Sequence, residues 1–161
     1  MPDYNRSIRS IGGINTKTIL FTEDATSTTH TGTITIPAGS ILLDILVYST
    51  ALWTDSSAAI IVGDATDDDG WFTTTQLDTT DLVVGERLAA ASANNWGGVN
   101  GAYLTTAGRF GPASGDGSSG YYASAGSVIG KVTVSTPSGT AGRTYMTAVF
   151  ARAHINDAVV S

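Results

Sequence analysis

From Lys17 onward the apolar side chains recur at every second position, the period of a pleated strand rather than of a helix. Thr18-Ile19-Leu20-Phe21-Thr22 predicts a first strand. Thr31-Gly32-Thr33-Ile34-Thr35-Ile36 alternates cleanly, which points Ile34 and Ile36 inward and the threonines outward. Pro37-Ala38-Gly39 ends that ladder, because proline has no N–H to donate and glycine opens a turn. Ile41 to Tyr48 is apolar on both faces apart from Asp44, the pattern of a central strand covered on each side. Ala58-Ala59-Ile60-Ile61-Val62 repeats that character and stops at Gly63-Asp64.

The middle of the chain carries weaker signals. Asp64 to Gly70 predicts an acidic turn before Trp71-Phe72-Thr73, and Leu82-Val83-Val84 suggests a short strand. Glu86 to Ala93 has mild helix propensity without a cap. Nine of the 19 glycines fall between Gly97 and Gly126, so residues 94–126 read as a long glycine-rich loop punctuated by Tyr103, Phe110, Tyr121 and Tyr122. Two strong strands close the chain. Ser127 to Ser135 sets Val128, Val132 and Val134 on one face, and Arg143 to Ala153 sets Met146, Ala148 and Phe150 against Tyr145, Thr147 and Val149. Residues 1–16 lack a period and read as a flexible N-terminal arm, a tether through Arg6 and Arg9 or a frayed end. The expected fold is all-β: a single sandwich of jelly-roll type over residues 17–161, built from seven or eight short strands.

Composition agrees and narrows the chemistry. The 161 residues hold 24 threonines, 16 serines and only 14% charged residues, below the ~25% of an ordinary soluble domain. The net charge is −6, which argues against a protein that tracks phosphate backbones and excludes nucleic acid as the expected partner. There is no cysteine, so disulfides, thiolate metal sites and thiol catalysis are absent. No run approaches ~20 apolar residues, and no apolar stretch follows Met1-Pro2-Asp3-Tyr4-Asn5-Arg6. The expectation is a protein made in a cytoplasm, without a membrane partner.

Each motif has a sharp and a plain interpretation. Gly115-Asp116-Gly117-Ser118-Ser119-Gly120 spells a dinucleotide fingerprint but lacks the strand before it and the helix after it, so it reads as loop. Gly126 to Val132 falls one residue short of a phosphate loop and lacks its hydroxyl, so it reads as strand. No cofactor is expected. In Asp64 to Gly70, Asp67 and Asp69 are weak candidates for holding a cation; the plainer reading is a turn whose carboxylates satisfy its own backbone. His30 and His154 are the only histidines, neither lies in a nucleophile elbow, and Glu23 and Glu86 are the only glutamates, so no enzyme is expected. Trp53, Trp71 and Trp96 all fall near loops, where they either plug sandwich ends or anchor a partner; with Tyr121 and Tyr122 they form the candidate contact set.

The order Ile36-Pro37-Ala38-Gly39, the strand Ile41 to Tyr48 and Ala51-Leu52-Trp53 resembles small virion proteins of tailed bacteriophages. So do Val62 to Trp71, Gly130-Lys131-Val132-Thr133-Val134, Thr140-Ala141-Gly142-Arg143 and Val149-Phe150-Ala151. The likeness covers roughly residues 31–75 and 121–153, which look like the capsid decoration, or cement, class and its relatives. It implies a homotrimeric structural protein on the outer capsid surface that bridges major capsid subunits. The alternative is a carbohydrate- or host-binding module of a tail or fibre, stacking sugars on Trp53, Trp71, Trp96 and the Tyr121-Tyr122 loop.

Overall fold

The computed structural model describes residues 13–78, 81–91, 99–105 and 120–152, and these form two antiparallel sheets packed face to face. One sheet has the order β1-β9-β3-β6, from Ile14–Thr22, Arg143–Arg152, Ser40–Ala51 and Arg87–Ala89, with the two-residue β7 (Tyr121–Tyr122) pairing the start of β3. The other has the order β2-β8-β4-β5, from Thr29–Ile36, Gly126–Thr133, Ala59–Gly63 and Phe72–Gln76. A single short helix, α1 (Ala102–Thr105), is the only helix among the described residues. The all-β sandwich expected from the alternation is therefore the fold.

Period-two patterning sorts the core. Ile34, Ile36, Val128 and Val132 point inward from one sheet, and Phe21, Ile45, Val47, Met146, Ala148 and Phe150 from the other. Gly32 and Gly130 are cross-strand partners; a side chain at Gly32 would collide with Ile19 and crowd Phe21, and one at Gly130 would collide with Phe21 and Met146, all reaching across from the facing sheet. Two glycines inside strands thus make room for Phe21 and its neighbours Ile19 and Met146, at the cost of the pairing side chains they lack. Gly39 ends the β2–β3 turn with φ +73°, a conformation only glycine adopts freely.

Four local expectations need correction. β1 begins at Ile14, so the last residues of the 1–16 arm belong to a strand, while residues 1–12 lie outside the described residues. β3 is central between β9 and β6 but is covered on one face only: Leu42, Ile45 and Val47 are buried while Ile41 and Leu43 are 42% and 39% exposed. Arg87–Ala89 pairs with Leu46–Tyr48 as β6 rather than forming a helix, since three ladder positions on β3 outweigh a weak propensity. Leu82 to Val84 makes a turn, with Leu82 buried in the core.

One end of the sandwich is closed by Glu23, which follows β1. Its carboxylate accepts the amides of Thr54 (2.8 Å), Asp55 (3.1 Å), Ala141 (3.0 Å) and Gly142 (2.9 Å), and the Thr54 hydroxyl (3.1 Å). It is 6% exposed. Burial works to raise its pKa, but the amides of Gly142, Asp55 and Thr54 outweigh it and hold the carboxyl below its ordinary value. Asp55 beside it accepts the Ser57 hydroxyl and amide and the Thr136 amide, which lower its pKa too.

Both groups are held low, so their stabilisation is complete above the ordinary carboxylate values of 4.5 and 3.8 and is lost as pH falls through the lower folded-state values. Melting temperature should therefore be insensitive to these groups above about pH 5 and fall steeply below pH 4. Glu23→Ala should cost about 3 kcal/mol, because it orphans buried amides, and Glu23→Gln about 2 kcal/mol with a flatter acid limb. Calorimetric melts across pH check both, and a Gln variant with an unchanged acid limb would refute the assignment.

Candidate functional site

The candidate contact residues separate sharply by exposure. Trp53 is 3% and Trp71 0% exposed, so neither meets a partner on this surface; both are plugs. Trp53 Nε1 donates to Thr144 Oγ1 (2.9 Å), which also bonds Ser49 Oγ (2.8 Å), and its ring lies edge-on to His30 at 5.4 Å. Trp71 packs edge-on to Tyr103 at 5.2 Å, with its Nε1 buried and unpartnered. Tyr122 is buried beneath Gly126, also without a partner for its hydroxyl, whereas its neighbour Tyr121 is 47% exposed. Burial first, then the charge of Asp64, raises the Tyr122 pKa. Arg6, Arg9 and Trp96 lie outside the described residues, as does His154. His30 Nε2 is buried and unpartnered, so it forms no serine–histidine pair through that atom.

The acidic turn is organised by Asp64. Its Oδ1 accepts the amides of Thr66 (2.8 Å) and Asp67 (3.1 Å) and the Tyr103 hydroxyl (3.1 Å), the self-satisfied turn that the plainer interpretation anticipates. Burial, the Asp64 charge and this hydrogen bond raise the Tyr103 pKa. Asp67, Asp68 and Asp69 bring carboxylate oxygens within 4.8 Å of one another. Asp69 is pushed above its ordinary value by burial and then by Asp67 and Asp68, as crowded like charges require.

What sequence reasoning missed is the outer face of the five-stranded sheet. Register places Leu20, Tyr145, Tyr48 and Arg87 in one row across it, and Ile14, Ala151, Ile41 and Tyr121 in another. Thr18 and Thr147 join hydroxyls at 2.9 Å between them. Tyr48 and Tyr145 stack with centroids 5.1 Å apart and planes 10° from parallel. A groove of about 460 Å³ runs beside Tyr48, between Leu46, Val84 and Arg87. Ile14 is 71% exposed and Leu20 43%. The opposite sheet shows solvent a carpet of Thr29, Thr31, Thr33 and Thr35 with Lys131. The available signal was the second apolar face of Ile41 to Tyr48, which implies a cover that the described chain does not supply.

No helix among the described residues is long and apolar enough to cross a membrane. No protein-family model matches this chain, and no curated protein matches it in sequence. Among solved structures, a chain of the cyanophage Pam1 capsid asymmetric unit is similar, with TM-score 0.49 and 15% identity over 94% of this chain and 99% of that one.

The two buried tyrosines make a paired test. Tyr103→Phe should cost about 1 kcal/mol by removing the bond to Asp64, whereas Tyr122→Phe, which deletes an unpartnered hydroxyl, should be neutral or stabilising. Denaturant titrations of the two variants check this; a larger loss for Tyr122→Phe would contradict the arrangement.

Proposed function

We propose that this chain is a non-catalytic structural protein of a tailed-phage virion, a decoration protein that binds the outer shell and bridges major capsid subunits. The observation that carries the reading is the unequal pair of sheet faces. Polar groups at the sandwich end and in the acidic turn are spent on closing the chain's own loops, while one broad, largely apolar face with exposed Ile14, Ile41, Leu43 and Tyr121 is left without a cover among the described residues. A flat apolar sheet suits a protein interface better than a small-molecule site, which is concave and carries a few convergent polar groups.

We also propose that the sandwich is a jelly roll, on the strength of the order β1-β9-β3-β6 facing β2-β8-β4-β5. The resemblance of residues 31–75 and 121–153 to decoration proteins supports the same assignment, with homotrimers formed in the host cytoplasm and then bound to the shell. Binding that exists only in the assembled lattice stabilises that lattice by mass action. The glycan-binding alternative is weaker, because Trp53 and Trp71 are buried and offer no stacking platform.

Quantitative mass spectrometry of purified virions tests the reading. A ratio to the major capsid protein of order one is expected. A handful of copies would move the protein to the tail, and complete absence would refute a virion role.

A further inference from the structure

Charge is sorted by position in this molecule. Every described cation lies on a strand: Lys17 in β1, Arg87 in β6, Lys131 in β8, and Arg143 and Arg152 in β9. Asp44 is the single acid on a described strand, and it is already committed to the amides of Ile45 (2.8 Å) and Ala91 (2.9 Å). The remaining described acids, from Glu23 to Glu86, sit in loops. A protein of net charge −6 therefore carries a sheet with four cations against one anion, and on its outer face the Arg87 side chain forms no hydrogen bond or ion pair among the described residues, while Glu86, which lines the same groove, accepts the Val83 amide (3.4 Å).

Two such faces pressed together about an axis at the groove would bring Arg87 against Arg87, which favours a complement from another part of the chain. The complement lies in the loops. Asp67, Asp68 and Asp69 form a compact negative knot, with Asp68 the exposed member and its neighbours half-buried. Crowding of this kind is relieved by an arriving guanidinium, whose planar fork suits carboxylates. The receiving surface is built mainly by three long strands, β1, β9 and β3, of 9, 10 and 12 residues. In plan it is about 30 Å long and about 15 Å across, enough for the central part of an interface of ~800 Å² per partner.

We propose that the outer face of the five-stranded sheet is an interface between copies of this chain, receiving the acidic turn Asp64–Gly70 of a second copy in the groove beside Arg87. The contact joins two different surfaces, so it propagates head to tail, and a rotation that closes makes it a ring rather than a back-to-back pair. The exposed Ile14, Leu20 and Ile41 supply the apolar area, and Arg87 against Asp68 sets the register. The inference rests on the self-association within the function proposed above and is independent of its virion location.

Sedimentation velocity of the full chain over a concentration series, at low and high salt, tests it. The expected result is a closed oligomer whose dissociation constant rises at least about tenfold in high salt. Arg87→Glu and Asp68→Arg should each weaken association about tenfold or more, and the double variant should recover it, because each reversed charge then meets its complement. Thr33→Glu, on the opposite sheet, should leave association unchanged, and thermal melts confirm that all variants fold. A chain that stays monomeric overturns the proposal, as does an oligomer indifferent to both reversals or a double variant without recovery. None of these outcomes bears on copy number in virions, so the two readings fail separately.

Discussion

The structure depends on a carboxylate buried without a cation. Glu23 faces no lysine or arginine among the groups that bond it; its charge is balanced by four amide dipoles and a hydroxyl. A buried ion is stable only where its hydrogen-bonding capacity is filled, since the alternative is to lose several kcal/mol of hydration for nothing. The amides come from the β3–β4 and β8–β9 connections, so one side chain ties the exit of β1 to two loops far away in sequence. Gly139 and Gly142 fit that end because a side chain there would collide with Glu23 and Trp53 respectively. Asp55 and Ser57 continue the latch to Thr136 and Ser135, and Trp53 fills the space beneath.

With its termination handled internally, the sandwich has two broad surfaces left, and they are chemically unlike. The threonine carpet on β2 is a stable solvent surface: hydroxyls are hydrated and the branched side chains suit the pleat. The face built on β1, β9 and β3 is not, because isoleucine, leucine and stacked tyrosines there stay wet unless covered. The edge of that sheet is blunted as well. Lys17 turns away from the open edge of β1 to donate to the Thr35 carbonyl (2.7 Å) and approach the Phe150 ring (5.8 Å). An inward-turned charge on an edge strand discourages strand-to-strand pairing, so the apolar face is left as the natural place for association.

How far the sequence carried this picture follows from the physics of each signal. Alternation sorts a strand's side chains onto two faces: it put Ile34 and Ile36 inward correctly, and it grouped Val128 with Val132 and Met146 with Ala148 and Phe150, the sets that the structure buries. It says nothing of what covers the other side, so the doubly apolar Ile41 to Tyr48 was read as covered twice when only one face is. β6 was illegible because three residues pair only in response to β3. Glu23 was legible only as a rare glutamate, since the amides it gathers come from positions 54, 55, 141 and 142 and leave no local pattern. Trp53 and Trp71 were ambiguous because a tryptophan near a loop serves a plug or an anchor equally well until burial is known.

The opposite end of the sandwich is built on weaker terms. Ser40 and Tyr122 are paired across β3 and β7, yet both hydroxyls are buried and unpartnered, and so is Trp71 Nε1 nearby in the core. Each orphaned group carries a desolvation cost of about 1–3 kcal/mol with no bond in return. The end closed by Glu23 has most of its donors matched to carboxylates, though His30 Nε2 and Gln76 Oε1 remain unpartnered there. The polar groups left without a bond at the opposite end therefore lie around β7 and Trp71, whereas the Asp64 turn satisfies its own backbone. That turn is held to the body chiefly through Asp64 and Tyr103, while its tip at Asp68 stays free. A latch at one end and an acidic turn at the other give a module that can present its charged turn without disturbing the contacts that keep it folded.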